Sequence, residues 1–281
     1  MVESILRPGA ATGAAMPGYA PWQPPGELPA TRDAGLAILE ALAAADEPMS
    51  VAEIARATGR HRASVYRYVE SLSAEGFLRV SGSPRRFSAS WRTIRLGLLP
   101  LRFRRNRVRD VALASAMRLV QETGAQAVLG FYEDGWAYCS DVVQDVEGMP
   151  VPSFVGSAMP GITSGGGRVL LAFSSAAEME RAACAHTPAF TAHTITGHDA
   201  VLEELQRTRA RGYALIYDEL RPGHREVAFP VFDFESRPVV AIGVLFQGDQ
   251  PPAALVERLR LAASEASRQL GYNPAPPSPA I

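Results

Sequence analysis

The run Arg60-His61-Arg62-Ala63-Ser64-Val65-Tyr66-Arg67 brings together the side chains best suited to grip a polyanion. Arg sets two parallel N–H donors on guanine O6 and N7 or holds a phosphate, while Ser and Tyr hydroxyls anchor the nucleic-acid backbone. A second basic pair, Arg85-Arg86, follows the turn Ser81-Gly82-Ser83-Pro84. A hairpin tip carrying two guanidinium groups reaches a phosphate or the minor groove. The candidate DNA contacts are therefore Arg60, His61, Arg62, Ser64, Tyr66, Arg67, Arg85 and Arg86. A third group is Ser164 followed by Gly165-Gly166-Gly167-Arg168. Bare amides at a helix start attract anions and let a small ligand lie against the backbone; close helix packing is the other reading of a triple glycine. Nucleotide binding is not indicated, for the run lacks both the Gly-Lys-Ser/Thr ending and a Gly-x-Gly-x-x-Gly placed after a strand.

Catalysis finds little support. No Gly-x-Ser-x-Gly elbow occurs, and His186, His193, His198 and His224 fall in loop-like stretches without a paired nucleophile. His193 and His198 read as surface-loop residues. Cys139 and Cys184 are too few for a disulfide framework and have no Cys or His at metal-ligand spacing. The expectation is a non-enzyme with no cofactor and no metal. No apolar run approaches the length of a membrane span, and the N-terminus lacks a secretory pattern, so the expected location is the cytoplasm.

Helical signals must position the basic side chains. Leu36, Leu39 and Leu42 repeat every three residues over a helix expected at 33–45, which Pro48 stops. Ser50 with Glu53 forms a capping-box pair that starts a second helix at Val51, and Thr58-Gly59 ends it. A third helix is expected over 61–74, with Val65, Val69 and Leu72 inward and Arg62, Ser64, Tyr66, Arg67 and Glu70 outward. Runs 77–80 and 85–88 then read as a short β-wing. Two helices about a glycine turn, the second basic on its outer face, make a helix-turn-helix suited to the major groove. Alone, the helices also fit a small bundle or a protein-binding winged helix. Farther on, Asp134-Gly135 between two β-rich runs predicts a hairpin. Helices are expected at 111–122, 176–185, 199–211 and 252–270, and strands at 213–217, 226–232 and 239–246. The class is α+β: a winged helix-turn-helix joined to an antiparallel sheet with helices on one side.

Charge divides the same way. The 281 residues carry a net charge of −1 and no Lys, but residues 31–110 hold 15 Arg against 8 acidic residues. Such a segment suits a DNA-contacting module, with a chance excess of solvated arginines as the alternative. Residues 1–30, with six prolines and four glycines, and 273–281, with four prolines, read as disordered tails. Between them the divisions are 31–90 for the winged helix-turn-helix, 91–109 for a linker helix and 110–272 for an effector-binding domain. In the linker, Leu96, Leu98, Leu99 and Leu101 offer surface for a second copy or for packing on the winged domain, and Pro100 interrupts the helix.

Three stretches together resemble the IclR family of bacterial transcription regulators, over about residues 32–271. The first is Gly35-Leu-Ala-Ile-Leu-Glu-Ala-Leu with Ser50-Val-Ala-Glu-Ile-Ala, Thr58-Gly59, Ser64-Val-Tyr-Arg and 72–77. The second is Thr194-Ile-Thr with 202–205 and Arg209-Ala-Arg-Gly-Tyr-Ala. The third is Pro222-Gly223, Ala228-Phe-Pro-Val-Phe-Asp and Val240-Ala-Ile-Gly-Val. The resemblance implies a winged helix-turn-helix, a linker helix and a GAF-like effector domain. It also implies a homodimer or homotetramer that binds double-stranded operator DNA as repressor or activator, and a small organic or aromatic acid as effector.

Carried over by the resemblance, the effector loop falls on Gly165 and Gly166, an acidic position on Ile216, a cysteine position on Glu226, and two polar strand positions on Gly243 and Leu245. The chain departs from the pattern at most of these, and also in the wing, where Ser83-Pro84 and Phe87-Ser-Ala-Ser replace a turn glycine and Tyr-x-Leu-Gly. A carboxylate ligand would meet Glu226 unfavourably unless Arg168 or a proton intervened. The expected effector is therefore larger, more apolar, and neutral or cationic, with Glu226 accepting a hydrogen bond from it. Two readings stand against this one: a ligand-independent regulator acting through protein partners, and an enzyme with an appended winged helix.

Overall fold

The structure, a computed structural model, describes residues 34–45, 47–97, 105–144 and 155–273. The tail expected at 1–30, nearly all of that at 273–281, and Leu98, Leu99, Pro100 and Leu101 lie outside the described residues. The chain divides into two compact units, with the boundary at Thr93 and Ile94.

In the first unit, α1 (Ala34–Ala43), α2 (Val51–Thr58) and α3 (Arg62–Ala74) are followed by an antiparallel hairpin of β1 (Leu78–Ser81) and β2 (Arg86–Ala89). Ile38, Leu42, Ile54, Val65, Val69, Leu78 and Phe87 form the core. Helix α1 turns a different face inward from the expected stripe: Ala34, Ile38 and Leu42 are buried, whereas Leu36 is 60% exposed. Three residues advance ~300° around a helix, so an every-third stripe drifts off the core, while i, i+4, i+8 stays near it. The capping box forms at α2, with Ser50 N–H donating to Glu53 Oε2 (2.7 Å) and Glu53 N–H to Ser50 Oγ (3.3 Å). Gly59, at φ +64°, closes α2 in the left-handed conformation that glycine adopts without strain. Met49 and Phe87 exchange backbone hydrogen bonds of 2.9 and 2.8 Å, which fastens the wing to the entry of α2. Helix α4 (Trp91–Gly97) follows the wing.

The second unit is a six-stranded antiparallel sheet of order β5-β4-β3-β8-β7-β6. Its strands are β3 (Gln126–Glu133), β4 (Trp136–Val143), β5 (Ala158–Pro160), β6 (Ala214–Tyr217), β7 (Arg225–Phe232) and β8 (Pro238–Leu245). Asp134 and Gly135, with φ of 48° and 87°, form the two-residue turn between β3 and β4. Helices cover both faces, which corrects the one-sided arrangement expected. Helices α5 (Arg105–Thr123) and α9 (Ala253–Gln269) pack Ala116, Leu119, Leu259 and Ala263 on Leu129, Val227, Ile242 and Val244. On the other face α6 (Gly165–Ala172) packs Val169 and Leu170 on Ala214, Ala228 and Ala241. Helices α7 (Ala176–Cys184) and α8 (His198–Arg211) close over α6. The unbroken burial of residues 226–231 is what a strand covered on both sides requires.

Helix α6 lies very close to the sheet because its first turn has no side chains. A Cβ on Gly167 would stand 2.5 Å from Gly161 O and 2.7 Å from Ala137 Cβ, and one on Gly166 3.5 Å from Gly130 Cα. Alanine is the better helix former by roughly 1 kcal/mol, but here the clash is with backbone and dominates. Gly167→Ala is expected to destabilise the protein by about 1–3 kcal/mol in denaturant unfolding; an equal or higher stability would refute the close-packing assignment.

Candidate functional site

Helix α3 sorts its residues sharply. Val65 and Val69 are buried, Ser64 is half-buried, and Arg62, Tyr66 and Arg67 are exposed, with Tyr66 at 50%. His61 serves the fold: its Nδ1 accepts from Ala63 N–H at 3.3 Å and caps the helix. Arg60 is half-buried, and its backbone N–H bonds Ala55 O at 3.1 Å. Among the described residues, the Arg62 and Arg67 side chains form no ion pair or hydrogen bond. Tyr68, not singled out from sequence, is also exposed on this helix.

The wing arginines are differently placed. Arg86 donates to Pro48 O (2.6 Å) and to both oxygens of Glu53 (3.2 and 3.4 Å), so it ties β2 to the capping box of α2. Arg85 pairs with Glu70 at 2.8 Å and lies over the Phe87 ring. That exposed ion pair is weak enough to exchange for a phosphate.

In the second unit the glycine run presents its amides to the sheet. Ser164 Oγ caps the helix by accepting from Gly167 N–H at 3.0 Å. The two preceding amides do not face solvent: Gly165 N–H donates to Glu226 Oε2 (2.9 Å) and Gly166 N–H to Glu226 Oε1 (3.2 Å). Glu226, on β7, is 4% exposed. A cavity of about 30 Å³ remains beside it, walled by Gly130, Cys139, Met159, Ser164, Gly166 and His224 among others. That is room for one water-sized group. Burial, then the charges of Glu226 and Asp141, push the Cys139 thiol up to about 12, so it stays protonated.

The model of the bacterial transcriptional regulator IclR C-terminal domain matches residues 103–270, and that of the IclR helix-turn-helix domain matches residues 33–82. The chain belongs to the IclR family. It is 28% identical over 243 residues to the glycerol operon regulatory protein of Streptomyces coelicolor, covering 84% of this chain and 94% of that one. The IclR transcriptional regulator of Alicyclobacillus acidocaldarius superposes with a TM-score of 0.70 at 26% identity, over 85% of this chain and 97% of that one. An IclR homologue of Microbacterium hydrocarbonoxydans, complexed with 4-hydroxybenzoate, shares the fold with a TM-score of 0.71 at 21% identity, over 84% and 97% of the two chains. The protein is thus a DNA-binding transcription regulator with a C-terminal effector domain, not an enzyme. No described helix is long and apolar enough to cross a membrane.

Of the positions the IclR resemblance carries over, the structure gathers Gly165, Gly166, Glu226 and Gly243. A Cβ on Gly243 would stand 2.3 Å from Glu226 Oε1, and one on Gly165 2.7 Å from Glu226 Cδ, so both glycines make room for that carboxylate. Ile216 on β6 and half-buried Leu245 on β8 stand opposite Glu226 in register, flanking it along one row of the sheet. Arg168, 1% exposed, turns elsewhere: it donates to Ile162 O, Leu215 O and Glu219, and has Glu204 at 3.5 Å. His224 lies in a loop, as expected, but a buried one. It is 2% exposed just before β7, its Nε2 lies 3.6 Å from Glu226 Oε2, and neither ring nitrogen has a hydrogen-bond partner among the described residues. The signal for it was the His-x-Glu spacing, which sets both side chains on one side of an extended chain.

His198, by contrast, leaves the expected loop and begins α8. Its Nδ1 lies 2.8 Å from Asp199 Oδ1 and its Nε2 2.7 Å from Glu180 Oε1. Glu180, Cys184 and His198, all exposed, have donor atoms within 4.8 Å of one another and are the set among the described residues that could hold a metal. The carboxylates account for the geometry without one, since only an imidazolium donates from both nitrogens. Hydrogen bonds to Asp199 and then Glu180 raise the His198 pKa above 6.5. A pKa raised in the folded state gives stability that is complete below the unfolded value near 6.5 and fades as pH rises through the folded value. The His198 ring proton should titrate above 6.5 by NMR, and Glu180→Gln should lower the midpoint; a wild-type midpoint at or below 6.5 would refute the clasp.

Proposed function

We propose that α3 reads an operator through Arg62, Ser64, Tyr66 and Arg67, with Arg60, His61 and Arg85 on flanking phosphates, and that Arg86 serves mainly to brace the wing. The observation that carries this reading is the partition of the arginines: Arg62 and Arg67 are exposed on the outer face of a capped helix without partners among the described residues, whereas Arg86 holds Glu53 and Pro48. A guanidinium left without an acidic neighbour offers all its donors to a base edge or a phosphate. On duplex DNA selected from a random pool by the wild-type protein, Arg62→Ala and Arg67→Ala are each expected to weaken binding roughly tenfold or more, read by fluorescence anisotropy. Arg86→Ala is expected to lower the melting temperature before it lowers affinity. Unchanged affinity in both α3 variants would sink the assignment.

The effector domain, in this reading, alters operator affinity when a small organic molecule enters beside Gly166, His224 and Glu226. The cavity left there is small, so entry requires α6 or its neighbours to shift. Helix α4 joins two copies: Trp91 is 81% and Leu96 49% exposed, more apolar surface than a short helix leaves in water without a partner. A two-fold pair also matches the paired half-sites that helix-turn-helix proteins read. Light scattering is expected to give a dimer or tetramer, and Trp91→Ser with Leu96→Ser a smaller species; a double variant with the wild-type mass would refute α4 as the interface.

A further inference from the structure

We infer that Glu226 is a built-in anionic ligand of the effector domain, permanently seated where a carboxylate effector would bind. The inference rests on the effector-domain reading above and specifies the chemistry of its site. Four independent features converge on one carboxylate. Both its oxygens accept the otherwise unpaired amides at the start of α6, from Gly165 at 2.9 Å and Gly166 at 3.2 Å. Two glycines, Gly165 and Gly243, have no Cβ where that carboxylate lies. The carboxylate is buried, and the space left beside it is about 30 Å³, too little for even a small organic acid. His224, buried and unpartnered at both ring nitrogens, faces the same cavity.

A helix N-terminus with two convergent amides is an anion seat, and a tethered anion holds it at an effective concentration no free acid matches. A second carboxylate would have to displace Glu226 into a buried site or lie against it, and like charges brought together out of water repel strongly. Small carboxylates are therefore excluded from the wild-type domain. The effector class it admits is one that brings N–H or O–H donors, neutral or cationic, to the outer lone pairs of Glu226.

The test is chemical rescue. Glu226→Ala removes Cγ and the carboxylate, a fragment that matches an acetate ion atom for atom apart from hydrogen. The variant should melt roughly 5–15 °C lower, because two buried amides lose their acceptor. Acetate at tens of millimolar should restore at least half of the loss, in a saturable manner, while acetamide and chloride at the same concentration should not. Wild-type protein should show no saturable shift with acetate, propionate or benzoate. A folded Glu226→Ala that ignores acetate, or a wild type that small carboxylates stabilise saturably, overturns the inference. If Glu226→Ala does not fold, Glu226→Gln decides: a melting temperature equal to wild type overturns the need for a charged group, and a lower one, unresponsive to acetate, supports it. Operator anisotropy on the same samples keeps the two readings apart, for a wild type that binds no selected DNA defeats the regulator assignment while rescue of melting still reports on the anion seat.

Discussion

The closeness of α6 to the sheet is the constraint on which the second domain depends. A side chain at 167 could not fit against Gly161 and Ala137, nor one at 165 against Glu226, and glycines at these positions remove that obstacle. The same bareness creates a problem, because a helix start buried against a sheet leaves N–H groups without water or intrahelical partners. Ser164 satisfies one of these amides and Glu226 satisfies two. Packing and amide satisfaction are therefore one requirement: the glycines that let the helix approach also expose the donors that a carboxylate must meet.

Arg168 extends this logic one turn along the helix. Buried among Ile162 O, Leu215 O, Glu219 and Glu204, it joins the turn before α6, strand β6 and helix α8 through one guanidinium. An arginine this deep is tolerated only because its planar donor fork is matched on several edges at once. Two opposite charges thus hold the start of α6, Glu226 at its amides and Arg168 within its first turn, and each has its own set of partners. Movement of the helix would have to break both sets, so the position of α6 is tightly held until something competes for one of them.

Much of this was legible in the sequence, and what was not follows a pattern. The capping box at Ser50, the left-handed Gly59, the wing and the Asp134-Gly135 turn are local devices in which residues a few positions apart satisfy one another, and they were read with nearly the right bounds. Helices on both faces of the sheet were missed, although 227–231 is apolar throughout, as a strand covered on both sides requires. The role of Glu226 was half visible. Its type marks it as unfit for a carboxylate ligand, but its bonds to Gly165 and Gly166 span some sixty residues of chain and depend on how β7 meets α6. His224 and Arg168 fail to declare themselves for the same reason, since burial of a charged or titratable group is decided by its distant partners.

The first domain answers the same question with arginines. Charge alone marked residues 31–110 as basic and could not distinguish one guanidinium from another. The fold distinguishes them by the acids it places nearby. Glu53 caps α2 and simultaneously draws Arg86 to the wing root, and Glu70, on the far turn of α3, holds Arg85. Arg62 and Arg67 stand on the same helix as Glu70 without such a neighbour among the described residues. In both domains, then, the fold decides which charges the protein has already neutralised for itself. In the proposed reading, a guanidinium left unpaired is available to DNA, and a pair of amides already holding Glu226 is closed to an incoming acid. The chemistry each domain offers to a partner is the remainder after its internal pairing is complete.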